Sequence, residues 1–202
     1  MVNFEDIVDK LRCKRLFIFD FDETLINLNV DWEQLKKELS KLVKERFGIT
    51  MNFTPIMEKL EYLKNQITEE EYSSIMNQLK QGEINALQTK STIQPVGLEL
   101  LKEIHSNLIQ KSQESRYITI LSNNYTDTIR MGAKKYGIDR FIASYVGRDM
   151  VTKIKPEIEG IEKIHKQFPD VKKSEIVYFG DSEKYDKMVA LAYGVDFFLI
   201  KS

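Results

Sequence analysis

The part of the sequence that decides the fold is Arg15-Leu16-Phe17-Ile18-Phe19-Asp20-Phe21-Asp22-Glu23-Thr24-Leu25. The unbroken apolar run Leu16–Phe19 is typical of a strand that is buried on both faces of a parallel sheet. Parallel sheets bind their ligands at the carboxyl ends of the strands. Asp20 and Asp22 stand at this end, and because neighbouring carboxylates repel, they require a cation between them or a proton on one of them. We therefore expect the reactive centre here.

The composition predicts a globular protein without a general affinity for polyanions. The chain has 202 residues, of which 42% are hydrophobic and 30% are charged, as in ordinary soluble domains. With 30 Lys and Arg against 31 Asp and Glu residues, the formal net charge is -1. No overall positive field favours nucleic acid or an anionic membrane, so neither is an expected partner.

The N-terminal residues and the cysteine content predict a cytoplasmic location. Residues 1–10 contain acidic residues and no apolar segment of signal-peptide length, and later hydrophobic runs are too short to cross a membrane. Cys13 is the single cysteine. Since it cannot form an internal disulfide, a reducing compartment fits.

The pattern changes from strand to helix after Thr24. Helices are predicted over residues 31–47, 54–65, 68–81 and 83–88, the third opening with a capping-box pattern, and residues 27–91 show no strand pattern. Beyond them, strands predicted over residues 117–121, 141–145, 175–179 and 197–200 alternate with helices over residues 96–110, 126–136, 157–168 and 184–192. This alternation predicts an α/β fold with a parallel sheet covered on both faces, into which an all-helical segment is inserted after the first strand.

Two later segments place polar groups that suit an anion. Ser122 and Asn123 follow a predicted strand and precede a helix, so their hydroxyl and backbone N–H groups are well placed to cradle an oxyanion or phosphate. Lys155 precedes Pro156 at a predicted helix start and brings an ammonium group to a loop.

A further acidic segment follows the strand predicted over residues 175–179. Gly180 and Asp181 come first, and Glu183 and Asp186 follow within the next turn of chain. Each of these segments alone is a weak signal. Acids, a hydroxyl and a lysine that stand in this order at strand or loop ends are difficult to explain by packing.

In this order the segments resemble the sequence motifs of the haloacid dehalogenase superfamily. The motif positions, from first to last, are Asp20, Asp22 and Thr24, then Ser122, then Lys155, then Gly180, Asp181 and Asp186. The resemblance spans nearly the whole chain. It implies a Rossmann-like core formed by residues 1–26 and 92–202, with residues 27–91 as an inserted helical cap domain.

The resemblance and the chemistry of these groups together imply a phosphoryl-transfer mechanism. Asp20 would be the nucleophile that forms an aspartyl-phosphate, and Asp22 would be the general acid and base. Ser122, the Asn123 N–H and Lys155 would hold the oxygens of the transferred phosphoryl group.

The same resemblance implies a Mg²⁺ cofactor. Its ligands would be Asp20, the backbone carbonyl of Asp22, and Asp181. The last motif has four residues between Asp181 and Asp186, whereas three are commonest in the family. Either Asp186 or Glu183 therefore completes the metal shell.

The expected function is that of a magnesium-dependent phosphatase that hydrolyses a small phosphorylated metabolite. The alternatives are a phosphosugar mutase of the same superfamily and a non-catalytic protein that binds a phosphorylated ligand. Asp22 disfavours dehalogenation, which needs no acid for an alkoxide leaving group. The inserted helical segment disfavours a phosphoprotein substrate, because a cap restricts access.

Overall fold

The computed structural model describes residue 7 and residues 9–201. Residues 1–6, 8 and 202 lie outside the described part. They include most of residues 1–10, on which the prediction that the chain has no signal peptide is based. The chain divides into two compact units, one formed by residues 1–28 and 92–202 and the other by residues 29–91.

The strands, in chain order, are β1 (Leu16–Phe19), β2 (Ile26–Asn27), β3 (Thr92–Ile93), β4 (Tyr117–Leu121), β5 (Ile142–Val146), β6 (Ile176–Gly180) and β7 (Asp196–Leu199). Five of them form one sheet in the order β5-β4-β1-β6-β7, and every neighbouring pair is parallel. The α/β class predicted from the sequence is confirmed. Because β1 is the central strand, its carboxyl end lies between those of β4 and β6.

Both faces of β1 are buried, as its unbroken apolar sequence predicts. All four residues of the strand are 0% exposed. On one face, Leu16 and Ile18 belong to a core cluster with Ile161 and Val189 from later helices. On the other face, the ring of Phe19 stacks on that of Phe179 with centroids 4.5 Å apart. Burial of side chains of this size stabilises the sheet by about 1.5–3 kcal/mol each.

The short strands β2 and β3 were not expected from the sequence. They pair antiparallel, with Ile26 opposite Ile93 and Asn27 opposite Thr92. Strands of two residues are too short for a period-2 pattern to reveal them. The pairing brings together the two points at which the chain leaves and re-enters the first unit.

The α-helices whose bounds lie within the described residues are, in chain order, α1 (Trp32–Phe47), α2 (Ile56–Lys64), α3 (Glu69–Thr89), α4 (Pro95–Ile104), α5 (Thr126–Lys135), α6 (Glu159–His165) and α7 (Met188–Tyr193). The first three form the second unit. In the described part of the chain, no helix combines the length and the apolar character required to cross a membrane.

Within the second unit, α3 is one helix where the sequence predicts two. Gly82 indicates a break between residues 68–81 and 83–88, yet the helix continues through it. A Cβ atom at this position would lie 2.9 Å from a methyl carbon of Leu35 on α1. Gly82 therefore permits close packing of α1 on α3 instead of ending the helix. The predicted capping box at Thr68 and Glu71 is present.

Two predicted helices of the first unit contain π-helical turns. The helix predicted over residues 96–110 is α4 followed by a π-helical turn at His105–Ile109. The helix predicted over residues 184–192 begins with a π-helical turn at Glu183–Lys187 before α7. Such turns accommodate one extra residue in a helix and are frequent at functional sites.

Candidate active site

Three neighbouring strand ends bring the predicted site residues together. Asp20 directly follows β1, and its backbone N–H donates to the carbonyl of Phe179 at 2.8 Å, which extends the β1–β6 pairing by one residue. Ser122 follows β4, and its N–H donates to the carbonyl of Val146 at 3.0 Å. Asp181 follows β6. The polar residues thus begin where the buried strands end.

Lys155 places an ammonium group between two carboxylates. Its Nζ lies 2.8 Å from Asp20 Oδ1 and 2.6 Å from Asp186 Oδ1. The residue is only 4% exposed. Burial alone would lower the pKa of Lys155, but the charges of Asp20 and Asp186 outweigh it and raise the pKa above its ordinary value. Lys155 is therefore a fixed positive charge beside Asp20.

The Lys155 ammonium also has neutral neighbours. It donates to Tyr178 Oη at 3.1 Å and lies 3.3 Å from the carbonyl oxygen of Leu121. Burial, and then the negative charge of Asp186, raise the pKa of Tyr178 well above its ordinary value, so that the phenol stays protonated. Tyr178 was not predicted as a site residue, because a tyrosine within a buried strand is typical of a core residue.

Three acids form a cluster suited to a divalent cation. Asp20, Asp181 and Asp186 each offer a carboxylate oxygen, and these oxygens lie within 4.8 Å of one another. Burial, followed by the charge of Asp186, raises the pKa of Asp20 to about 7, and the same two causes raise the pKa of Asp181. Three carboxylates beside one ammonium leave an excess of negative charge, and oxygen ligands are those that Mg²⁺ prefers. The residues present therefore fit this ion.

Asp22 is held in the loop that follows β1. Its Oδ1 accepts a hydrogen bond from the backbone N–H of Leu28 at 2.8 Å. Glu23 has a φ of 60°, a left-handed conformation that lets the chain turn back after Asp22. The hydroxyl of the fully buried Thr24 donates to Asp181 Oδ1 at 3.3 Å. Thr24 thus connects this loop to the end of β6, as a supporting residue would.

The loop after β4 is connected to the lysine loop through a side-chain amide. The N–H of Lys155 donates to Asn123 Oδ1 at 3.0 Å, and Asn123 Nδ2 donates to the Lys155 carbonyl at 3.3 Å. The Ser122 hydroxyl donates to Asn124 Oδ1 at 2.9 Å. From the sequence, only the backbone N–H of Asn123 had an expected role. Its side chain couples two segments that lie far apart in sequence.

Arg148 is a further residue near the site that was not predicted from the sequence. It follows β5 and is 8% exposed. Its Nε donates to the carbonyl of Asn123, and its guanidinium lies 5.2 Å from the centroid of the Tyr125 ring. Because the Arg148 guanidinium contacts both the Tyr125 ring and the Asn123 carbonyl, it restrains the loop that carries Asn123. The sequence signal that could have indicated Arg148 is the Gly147-Arg148 pair, which follows a predicted strand.

The π-helical turn at Glu183–Lys187 accommodates the extra residue of the last motif. The N–H of Lys187 donates to the carbonyl of Ser182, five residues earlier, at 3.1 Å. This wider turn leaves Asp186 fully buried, with its Oδ2 accepting from the N–H of Ser182 at 3.0 Å. The side chain of Glu183 is 65% exposed and pairs with Lys187. Of the two acids considered from the sequence, Asp186 is the one in the acidic cluster.

Gly180 provides the space that Asp186 occupies. A Cβ atom on this residue would lie 2.4 Å from the Asp186 carboxyl carbon. No side chain other than hydrogen fits there without displacing the carboxylate. The glycine of the last motif is therefore required for packing against the acid, independently of any backbone turn.

Comparison with known proteins identifies the family that shares this arrangement. The sequence model of the family described as haloacid dehalogenase-like hydrolase matches residues 17–200. The chain belongs to this family. The resemblance found in the motifs is confirmed, and the haloacid dehalogenase-like assignment places the protein among hydrolases. Among curated proteins, none is similar enough to match the chain.

Solved structures of haloacid dehalogenase-like proteins share the fold. A protein described as a haloacid dehalogenase-like hydrolase from Bacteroides fragilis has a TM-score of 0.63 and 22% identity, over 91% of this chain and 86% of that chain. A predicted phosphoglycolate phosphatase from Haemophilus somnus 129PT has a TM-score of 0.63 and 19% identity, over 92% and 84%. A HAD phosphatase from Thermococcus onnurineus has a TM-score of 0.62 and 16% identity, over 93% and 86%.

Proposed function

We propose that this haloacid dehalogenase-like hydrolase is a magnesium-dependent phosphatase that acts on a small phosphorylated metabolite through an aspartyl-phosphate. The observation that carries the proposal is the buried Lys155 ammonium, 2.8 Å from Asp20 and 2.6 Å from Asp186. This arrangement places a fixed positive charge beside a carboxylate at the end of the central strand. A phosphoryl group that approaches Asp20 would meet that charge.

In the first half-reaction, an Asp20 carboxylate oxygen attacks phosphorus while the bond from phosphorus to the leaving oxygen breaks. The ionised form of Asp20 is the nucleophile, and the nearby ammonium favours this form. Asp22 gives its proton to the leaving alkoxide. The hydrogen bond from Leu28 to Asp22 Oδ1 fixes the orientation of the carboxyl group for this transfer.

In the second half-reaction, a water oxygen bonds to phosphorus while Asp22 accepts a proton from that water, and the bond from phosphorus to the Asp20 oxygen breaks. The Ser122 hydroxyl, the Asn123 N–H and the Lys155 ammonium hold the phosphoryl oxygens through both steps. The reciprocal amide pair between Asn123 and Lys155 keeps these donors together. Inorganic phosphate is released and Asp20 is regenerated.

The acidic cluster provides the magnesium site of the proposed enzyme. Asp20, Asp181, the backbone carbonyl of Asp22 and Asp186 are the proposed ligands. When bound, the ion screens the negative charges of nucleophile and phosphate from each other. Asp186 has a second task, since the same carboxylate accepts a hydrogen bond from Lys155.

The proposed substrate class follows from the residues of the site and from the second unit. The donors at Ser122, Asn123 and Lys155 suit one phosphate group, and residues 27–91 would act as a cap that admits small substrates. A structural neighbour bears the name phosphoglycolate phosphatase, so phosphorylated hydroxy acids belong in the first substrate panel. We propose a cytoplasmic location, with neither nucleic acid nor membrane as a partner.

The proposal is tested by measuring phosphate release from an aryl phosphate and from a panel of phosphorylated metabolites. Asp20→Asn is expected to lower turnover by at least about a thousandfold, the scale of losing a covalent nucleophile. Chelation should silence the wild type, and added Mg²⁺ should restore it. Substantial turnover in Asp20→Asn, or undiminished turnover in metal-free wild type, would contradict the proposal.

A further inference from the structure

Tyr178 is a core residue with an unusual set of neighbours. It lies in β6, two residues before Gly180, and is 0% exposed. Its ring belongs to the apolar cluster that includes Ile161 and Val189. A buried aromatic ring in this place needs no hydroxyl to pack. The hydroxyl nevertheless lies among the polar groups at the carboxyl end of the sheet.

The Tyr178 hydroxyl is part of the hydrogen-bond network of the Lys155 ammonium. It accepts from Lys155 Nζ at 3.1 Å, and its own proton has two acceptors, the Leu121 carbonyl at 3.1 Å and Asp186 Oδ1 at 3.2 Å. One small group therefore contacts the cation, one of its counter-ions and the end of β4. A network of this kind restrains each of its members.

The acceptors around Lys155 differ in how they respond to the reaction. Asp20 loses much of its negative charge when one of its oxygens bonds to phosphorus. Tyr178 keeps its position and charge, because it belongs to a strand and its hydroxyl is neutral. When Asp20 becomes a weaker acceptor, Tyr178 continues to hold the ammonium.

We propose that Tyr178 is a positioning residue that keeps the Lys155 ammonium beside Asp20 while the phosphoryl group is transferred. The inference rests on the proposed phosphatase function and adds a residue to it. Without the Tyr178 hydroxyl, Lys155 retains Asp186 and the Leu121 carbonyl as partners. It loses the 3.1 Å contact with a neutral acceptor that helps to fix its position beside Asp20.

The test compares two tyrosine-to-phenylalanine variants. Tyr178→Phe removes the hydroxyl and keeps the ring. Tyr193→Phe is the matched control, because its hydroxyl lies 2.7 Å from His165 Nδ1 and belongs to none of the proposed catalytic contacts. For each protein, kcat and KM are measured with an aryl phosphate. The affinity for orthovanadate, which mimics the five-coordinate transition state, is measured by calorimetry with magnesium present.

Tyr178→Phe is expected to lower kcat and to weaken orthovanadate binding by about 10- to 100-fold, the range for a hydrogen bond to a charged group. KM should change much less, because the loss concerns the transition state. Tyr193→Phe should leave kcat and orthovanadate binding unchanged. Wild-type values in Tyr178→Phe would overturn the inference, and loss of folding confined to this variant would also overturn it by making the hydroxyl a requirement of the fold.

The two proposals fail in distinguishable ways. If the wild type hydrolyses phosphates and Tyr178→Phe matches it, the phosphatase proposal stands and the positioning role is refuted. If the wild type hydrolyses none but binds orthovanadate more tightly than Tyr178→Phe does, the phosphatase proposal fails and Tyr178 still positions Lys155 for an anion. If the wild type neither hydrolyses nor binds, both proposals fail.

Discussion

Replacing Asp20 by asparagine is expected to remove a pH-dependent loss of stability from the metal-free protein. Burial and the charge of Asp186 raise the pKa of Asp20 from its ordinary 3.8 to about 7. The folded state therefore holds a proton on Asp20 in a pH range where the unfolded chain has released it. The proton on Asp20 therefore contributes to the stability of the folded state. This contribution is fully present below pH 3.8 and is lost as the pH rises to about 7.

The size of the effect follows from the two pKa values. The interval from 3.8 to about 7, at about 1.36 kcal/mol per pH unit, corresponds to about 4 kcal/mol in the free energy of unfolding. Between pH 5 and pH 8, where unfolding is convenient to measure, about 2–3 kcal/mol of this remains. Asp181 and Asp186 are present in both proteins, so the difference between the two pH profiles reports the removal of the Asp20 carboxyl group.

The assay is urea unfolding of wild type and Asp20→Asn at several pH values in excess chelator, followed by circular dichroism. The wild type should lose about 2–3 kcal/mol relative to the variant between pH 5 and pH 8. Added Mg²⁺ should stabilise the wild type more at pH 8 than at pH 5, because the ion binds the deprotonated carboxylate. Parallel pH profiles for the two proteins would refute the reasoning.

Four other substitutions test single residues in or beside the site. Asp22→Asn should release a burst of aryl alcohol and accumulate phosphoryl-Asp20 in rapid-quench experiments, and equal rate losses for aryl and alkyl phosphates without an intermediate would contradict this role. Asp186→Asn should lower kcat by at least about tenfold, because it weakens the ion pair that positions Lys155. Glu183→Gln, at an exposed residue, should change kcat by less than about twofold. Equal losses of kcat in the two variants would contradict the placement of Asp186, and not Glu183, in the site. Gly180→Ala should lower the free energy of unfolding by about 1–3 kcal/mol, measured in urea, because its methyl group would lie where the carboxylate packs. A stability equal to that of wild type would disprove the packing argument.

The sheet and the residues at its edge could be predicted because they depend on local pattern. The run Leu16–Phe19 is apolar at every position, and such a run suits a strand with no exposed face. Once the strands are placed, parallel topology alone brings Asp20, Ser122 and Asp181 to one edge of the sheet. The proximity of these three residues could therefore be predicted without knowledge of side-chain packing.

The missed features depend on contacts between residues distant in sequence. A glycine such as Gly82 is typical of a helix break, but the close approach of Leu35 shows that Gly82 serves helix packing. Tyr178 has the pattern of a core residue, and only the position of Lys155 shows that its hydroxyl has a partner. Asn123 and Arg148 likewise acquire their partners through tertiary folding. No local pattern contains this information.

The π-helical turn at Glu183–Lys187 also affects how the history of this sequence is understood. A residue gained or lost in a loop normally shifts the positions of the residues that follow it. Here the wider turn accommodates the extra residue, so that Asp186 keeps its place in the acidic cluster. An insertion at this point can therefore persist without removing an acid from the site, and a gap in an alignment need not mark a lost activity. Descriptions of the motif based on a fixed residue count would exclude chains that preserve the same carboxylate in the same place.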